Sequence, residues 1–303
     1  MRRFGTGFIS ILVIFSCVFV VTMTQAGNDK NPTQENTQVT TEGVSEETVV
    51  EEVVEEVVEI EVLPPVVDEI ALKQEEMRNT TILVQTFQGS GSGTIIDCLE
   101  TDAEGVFEYR VLSNAHVTYS RFITIVRGVD SLTGKVQRET TDTGCGIVVF
   151  DHANKDYFQY GATVIDEDVR YDLSLLSFRT DKKLPVARVA DKDQLNQVRV
   201  FDEIFAIGCQ LGRGPSPTTG IVSQIITGNN GEKEWAIYGN TAQITPGSSG
   251  GGLFKKYDDH YYLIGIPFRV AVAGNGQFVP HLAHAISIEV ARDFIDQNVA
   301  SCP

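Results

Sequence analysis

The chain is short of positive charge. Lys and Arg number 24 against 41 Asp and Glu, a formal net charge of −17 over 303 residues. No basic stripe runs along any segment, which argues against nucleic acid as a partner. Cysteine is scarce as well. Cys98, Cys145, Cys209 and Cys302 follow the first 26 residues, and none sits at metal-site spacing. Their even number permits disulfides in an exported protein, with three connectivities open; a buried free thiol is the competing reading for Cys209.

The acidity is uneven. Residues 27–68 carry 12 acids and one Lys, a net of −11, so residues 69–303 hold only −8. Before this segment, Arg2-Arg3 precede an apolar run of 16 residues, Phe8 to Met23, and Thr24-Gln25-Ala26 offers small residues for cleavage after Ala26. The run lies between a signal core and a full membrane span, so residues 1–26 read as a cleaved signal or as a membrane tether. Cys17 inside it reads as an apolar residue. Residues 27–48 lack any apolar period and cannot bury enough surface to fold. The following repeats of Val-Val-Glu-Glu, ending at Pro64-Pro65, place like charges at i and i+4, which disfavours a helix. Residues 27–70 are therefore expected to be a solvated acidic linker, with a helical or partner-binding stalk as the other reading.

From Thr80 on, short β-branched and aromatic runs alternate with Gly, Asp and Asn. Thr81 to Phe87, Phe107 to Leu112, Phe122 to Val126, Gly146 to Phe150, Glu203 to Ile207 and Tyr261 to Ile266 are examples. Such spacing predicts an all-β sandwich or barrel. Val290 to Val299 has helical spacing and is expected to close the chain.

Three segments carry chemistry. They are Val111-Leu112-Ser113-Asn114-Ala115-His116, Tyr171-Asp172-Leu173-Ser174-Leu175 and Thr245-Pro246-Gly247-Ser248-Ser249-Gly250-Gly251. A serine hydroxyl becomes a nucleophile only beside a base that a third group orients. Any one segment alone would read as a loop or a strand edge. Their order, His then Asp then Ser, each beside an apolar run, is what points to catalysis.

These segments resemble the catalytic signatures of chymotrypsin-fold serine proteases, and in particular the HtrA type. Gly91-Ser92-Gly93-Thr94-Ile95-Ile96, Ala206-Ile207-Gly208 with Leu211-Gly212, and Gly220-Ile221-Val222-Ser223 add to the likeness, which runs from about Thr81 to Val299. The resemblance implies two antiparallel six-stranded β-barrels with a C-terminal helix, spanning residues 71–303. It implies a serine endopeptidase acting through an acyl-enzyme: His116 as base, Asp172 as its orienting acid, Ser249 as nucleophile. The oxyanion hole would be the N–H groups of Gly247 and Ser249, and no metal or organic cofactor is required. Protein or peptide substrates are the implied partners. A PDZ module after Val299, which most HtrA-type proteins carry, is not expected here. Ser248 replaces the Asp that many digestive members carry, so activation by a new N-terminus is not expected.

By the same resemblance, the pocket for the residue before the scissile bond would have Gln243 at its floor and Phe268 and His284 in its walls. No Asp at the floor disfavours Arg and Lys. Two bulky walls would favour small aliphatic residues; His284 donating to Glu or Gln, or packing outside the pocket, are the competing readings. A non-catalytic binding domain on the same fold, and an esterase, are the alternative functions.

Overall fold

The computed structural model describes residues 68–229 and 234–298. The leader, the acidic segment through residue 67, Val299 and Cys302 lie outside them. Among the described residues no helix is long and apolar enough to cross a membrane.

The first element is α1, Glu69–Asn79. Asp68 caps it, its carboxylate accepting the N–H groups of Ile70 and Ala71 at 3.0 and 3.1 Å, satisfying two otherwise orphaned donors. Only Met77 of this helix is buried, so it carries no apolar stripe that would mark a helix in the sequence.

Six strands then close a barrel: β1 (Thr81–Gln85), β2 (Ser90–Glu100), β3 (Phe107–Ser113), β6 (Cys145–Asp151), β7 (Asp156–Asp168) and β8 (Leu173–Thr180). Their order around the barrel is β1-β2-β3-β8-β7-β6, with β1 pairing back to β6. Ile82, Ile95, Val111, Ile147 and Leu176, all with no exposed surface, fill it. Each such side chain contributes roughly 1.5–3 kcal/mol by leaving water.

Between β3 and β6 the chain makes a helical turn, α2 (Ala115–Thr118), and then a hairpin, β4 (Phe122–Val129) with β5 (Val136–Asp142). These two strands pair with each other only. The run at Phe122 is a strand as its composition predicts, but outside the barrel. Val126 and Val129 in β4 and Val136 in β5 are exposed, and Arg121 ties the base of the hairpin down. That guanidinium donates to Asp142 at 2.9 Å and to both oxygens of Glu167 at 2.6 and 2.8 Å.

The second barrel uses β10 (Glu203–Gly208), β11 (Ser216–Asn229), β12 (Glu234–Asn240), β13 (Gly252–Tyr257), β14 (His260–Val272) and β15 (Phe278–Ser287). The order is β13-β10-β11-β12-β15-β14, closed by β13 against β14. A two-residue strand, β9 (Arg188–Val189), lies parallel to β14, and α3 (Lys192–Leu195) precedes β10. The predicted architecture of two six-stranded antiparallel barrels is thus the one observed. Leu112, Leu173 and Leu175 of the first barrel join Ile207, Leu253 and Ile264 of the second in one core cluster. That shared core fixes the barrels side by side. The closing helix α4, Ile288–Asn298, buries Ile288, Val290, Ala291 and Phe294, and Asn298 reaches Asp166 of β7 at 2.9 Å.

Cys98, Cys145 and Cys209 are all free thiols, so no pairing among these three is realised. Burial pushes the Cys145 thiol up to about 11 and the Cys209 thiol up to about 12. Since the thiolate is the reactive form, iodoacetamide at pH 8 is expected to alkylate the partly exposed Cys98 in the native protein. Cys145 and Cys209 should react only after denaturant is added. Mass spectrometry of the digested protein reads this out, and native alkylation at Cys209 would contradict the burial described.

Candidate active site

β3 ends at Ser113, and Asn114 leads in extended backbone into the turn of α2. Ala115 and Val117 are buried there, which turns His116 outward, with 48% of its side chain exposed. Asp172 stands just before β8. Its backbone is left-handed, φ 56°, a conformation that Asp tolerates better than most residues. Asn114 Nδ2 donates to the Asp172 carbonyl at 2.8 Å and holds it there. The carboxylate then meets His116 at two points. Oδ1 accepts the His116 backbone N–H at 2.9 Å, and Oδ2 lies 2.7 Å from Nδ1. A charged acceptor at Nδ1 selects the tautomer with its proton there, leaving Nε2 able to take a proton.

Ser249 lies in the tight turn between β12 and β13. The Ser248 N–H donates to Thr245 O at 3.0 Å, the Gly251 N–H to Ser248 O at 3.1 Å, and the Gly250 N–H to Pro267 O at 3.0 Å. Gly247 has φ 97°, and a Cβ there would lie 2.6 Å from the Cys209 carbonyl oxygen and 2.9 Å from the Leu211 nitrogen. Only glycine fits. The Leu211 N–H donates to Pro246 O at 2.8 Å, so the Gly247 N–H, antiparallel to that carbonyl in a trans peptide, points away from the Cys209–Gly212 loop. Among the described residues the N–H groups of Gly247 and Ser249 donate to no protein acceptor. The Ser249 hydroxyl donates to the Phe268 carbonyl at 3.5 Å, and no hydrogen bond joins it to His116.

Of the three expected pocket residues, one lines a cavity that the other two do not. Phe268 lines a cavity of about 260 Å³ with Tyr171, Asp172, Trp235 and Ile286, on the side of the acid; Gln243 and His284 do not line it. Phe268 sits at an irregularity in β14 between Pro267 and Arg269, which breaks the strict alternation a residue count assumes. Gln243 is exposed, its carbonyl accepting from Gln210 at 3.4 Å, and is no closed floor. His284 is paired in register with Arg269 and Gly239, and its Nδ1 is buried without a hydrogen-bond partner among the described residues. Burial, then the nearby Arg269 charge, lower its pKa. A histidine kept neutral in this way is a weak partner for an acidic side chain.

Ser92, Ser113 and Asn114 belong to the site's support although no role is legible for them in sequence. They are buried polar residues within short motifs, and that is the one signal that could have found them.

Residues 91–266, more than half of the chain, match the family described as trypsin-like peptidase domain. The sequence is 31% identical over 158 residues to a probable periplasmic serine endoprotease, DegP-like, of Buchnera aphidicola subsp. Schizaphis graminum, a match covering 50% of this chain and 31% of that protein. To the periplasmic serine endoprotease DegP of Salmonella typhimurium it is 29% identical over 216 residues, 71% of this chain and 37% of that one. The chain thus spans well under two thirds of the length of these relatives. Its fold is similar to that of the HtrA-type protease AlgW with tripeptide, with a TM-score of 0.51, 23% identity, and coverage of 76% of this chain and 64% of that one. Deg5 gives a TM-score of 0.53 at 20% identity, covering 76% of this chain and 95% of that one. With its paired barrels and this match across their joint core, the chain belongs to the family of trypsin-like peptidase domains.

Proposed function

We propose that this protein is an exported serine endopeptidase that cleaves peptide bonds through Ser249, His116 and Asp172. The observation that carries the reading is the two-point hold of Asp172 on His116, at 2.9 and 2.7 Å. In the proposed reaction the Ser249 hydroxyl leaves the Phe268 carbonyl and gives its proton to His116 Nε2 as Oγ attacks the substrate carbonyl. The developing oxyanion takes the unpartnered N–H groups of Gly247 and Ser249. The protonated imidazole, stabilised by Asp172, then returns the proton to the leaving amine. Water repeats the sequence on the acyl-enzyme. Donors aimed at the oxyanion are worth roughly 3 kcal/mol each.

The proposed boundaries are a leader or tether at 1–26, an acidic linker at 27–70 and the protease domain at 71–303, with α1 lying across the second boundary. Export rests on the leader's pattern and on the periplasmic naming of the relatives. Neither the exclusion of Arg and Lys, which took Gln243 as a closed pocket floor, nor the narrowing assigned to Phe268 is carried forward.

A fluorophosphonate probe tests the reading, because it bonds only to an activated serine. Wild-type protein is expected to be labelled at one site, and peptide mapping should place the adduct on Ser249. A folded protein that takes up no probe would favour the non-catalytic binding domain.

A further inference from the structure

We infer that Ser92 is a positioning residue of this active site, whose hydroxyl pins the oxyanion turn to the neighbouring barrel. The inference rests on the serine-protease reading above and adds to it a residue outside the triad and the oxyanion donors.

Ser92 lies in β2 of the first barrel and has no exposed surface. All its polar groups are engaged. Its hydroxyl donates to the Gly247 carbonyl at 2.6 Å and accepts the Cys209 N–H at 2.7 Å. Its own N–H donates to the Ser249 carbonyl at 2.7 Å. Its carbonyl accepts the Ser113 hydroxyl at 2.7 Å, three residues before His116. Three of these four bonds cross from the first barrel to loops of the second.

What the hydroxyl adds is a buried tether on one of the two peptide planes that meet at Gly247. Gly247 joins two planes. The plane before it is held by the Leu211 N–H on the Pro246 carbonyl, and that plane carries the Gly247 N–H. The plane after it is held at two points, by Ser92 at the Gly247 carbonyl and by the Ser248 N–H on the Thr245 carbonyl at 3.0 Å. Glycine opposes neither plane turning over, since it lacks the Cβ that would resist. Fixing both planes fixes φ and ψ of Gly247, and with them the direction of the N–H expected to meet the oxyanion. The same hydroxyl holds Cys209, whose carbonyl packs against Gly247. One oxygen thus fixes the turn and the wall it leans on. The bond from the Ser92 N–H to Ser249 involves only backbone, so it survives a side-chain change. Loss of the hydroxyl therefore separates placement of the oxyanion donor from placement of the nucleophile.

The test is Ser92→Ala, assayed on a short peptide and with a peptide boronate, whose tetrahedral adduct places an oxygen in the oxyanion hole. The expected result is a kcat lower by 10- to 100-fold with KM within threefold. Boronate affinity should fall by the same factor as kcat, while the affinity for the cleaved acid product stays unchanged. Ser92→Thr keeps the hydroxyl and should retain kcat within about fivefold. It also serves where the alanine variant does not fold: a folded threonine variant whose loss lies in KM rather than kcat overturns the inference. So does a folded alanine variant with wild-type kcat and boronate affinity, or one that loses kcat, KM and product binding together. Fluorophosphonate labelling of the wild type separates the two readings. If the wild type is unlabelled, the serine-protease reading fails and takes this inference with it; if wild type and Ser92→Ala label at equal rates, only the role of Ser92 fails.

Discussion

Ser249→Ala is expected to hydrolyse a peptide about 10⁴- to 10⁶-fold more slowly than wild type while melting within a few degrees of it. The two halves of this expectation have separate causes. The hydroxyl is the proposed nucleophile, and the neighbouring Ser248 is buried with its Oγ accepting the Thr245 N–H at 3.3 Å. Its structural contribution is small, a single 3.5 Å contact to the Phe268 carbonyl in a partly exposed setting. His116→Ala should lose nearly as much, and the double variant should be little worse than the poorer single one, because base and nucleophile act on one proton. Steady-state turnover with a thermal melt decides the matter. A Ser249→Ala protein retaining more than a hundredth of wild-type turnover would remove Ser249 from the mechanism.

Asp172→Asn should cost about 10⁴-fold in kcat and leave the fold intact. Asn is at home in left-handed backbone, so φ 56° adds no new strain. The chemistry is less forgiving. Asp172 offers two acceptor oxygens, one to the His116 N–H at 2.9 Å and one to Nδ1 at 2.7 Å. An amide offers one. If its oxygen stays with the backbone N–H, its NH₂ faces Nδ1, which must then be an acceptor. The ring proton moves to Nε2, where it blocks uptake of the serine proton. The reverse orientation sets NH₂ against a backbone N–H. Turnover within tenfold of wild type would show that Asp172 does not choose the tautomer.

The parts of the fold readable in advance are those with a short-range pattern. The runs at Thr81, Phe107, Gly146, Glu203 and Tyr261 are β-branched or aromatic and bounded by turn formers, and each lies in a strand of a barrel. α4 was readable because its apolar residues recur at helical spacing. α1 was not, because with Met77 alone buried it has no apolar face to recognise. The hairpin of β4 and β5 was readable as strand but not as a ribbon outside the barrel. Its exclusion depends on β6 taking the place beside β1, a pairing between segments more than 60 residues apart.

What the sequence determined by itself is the class of the fold, together with the proposed set of reacting groups. A histidine, an aspartate and a glycine-flanked serine, in that order on a chain of short strands, carry their chemistry in residue type and local spacing. What only the tertiary structure decided is direction. Phe268 sits at the irregularity of β14 and lines one cavity with Asp172, and that register shift is something a count of alternating residues cannot contain. The role of Ser92 appears only when β2 meets a turn 155 residues further along the chain. A hydrogen bond works over about 3 Å and within a narrow angle. Sequence separation sets neither quantity; the packing of two barrels on one shared core sets both.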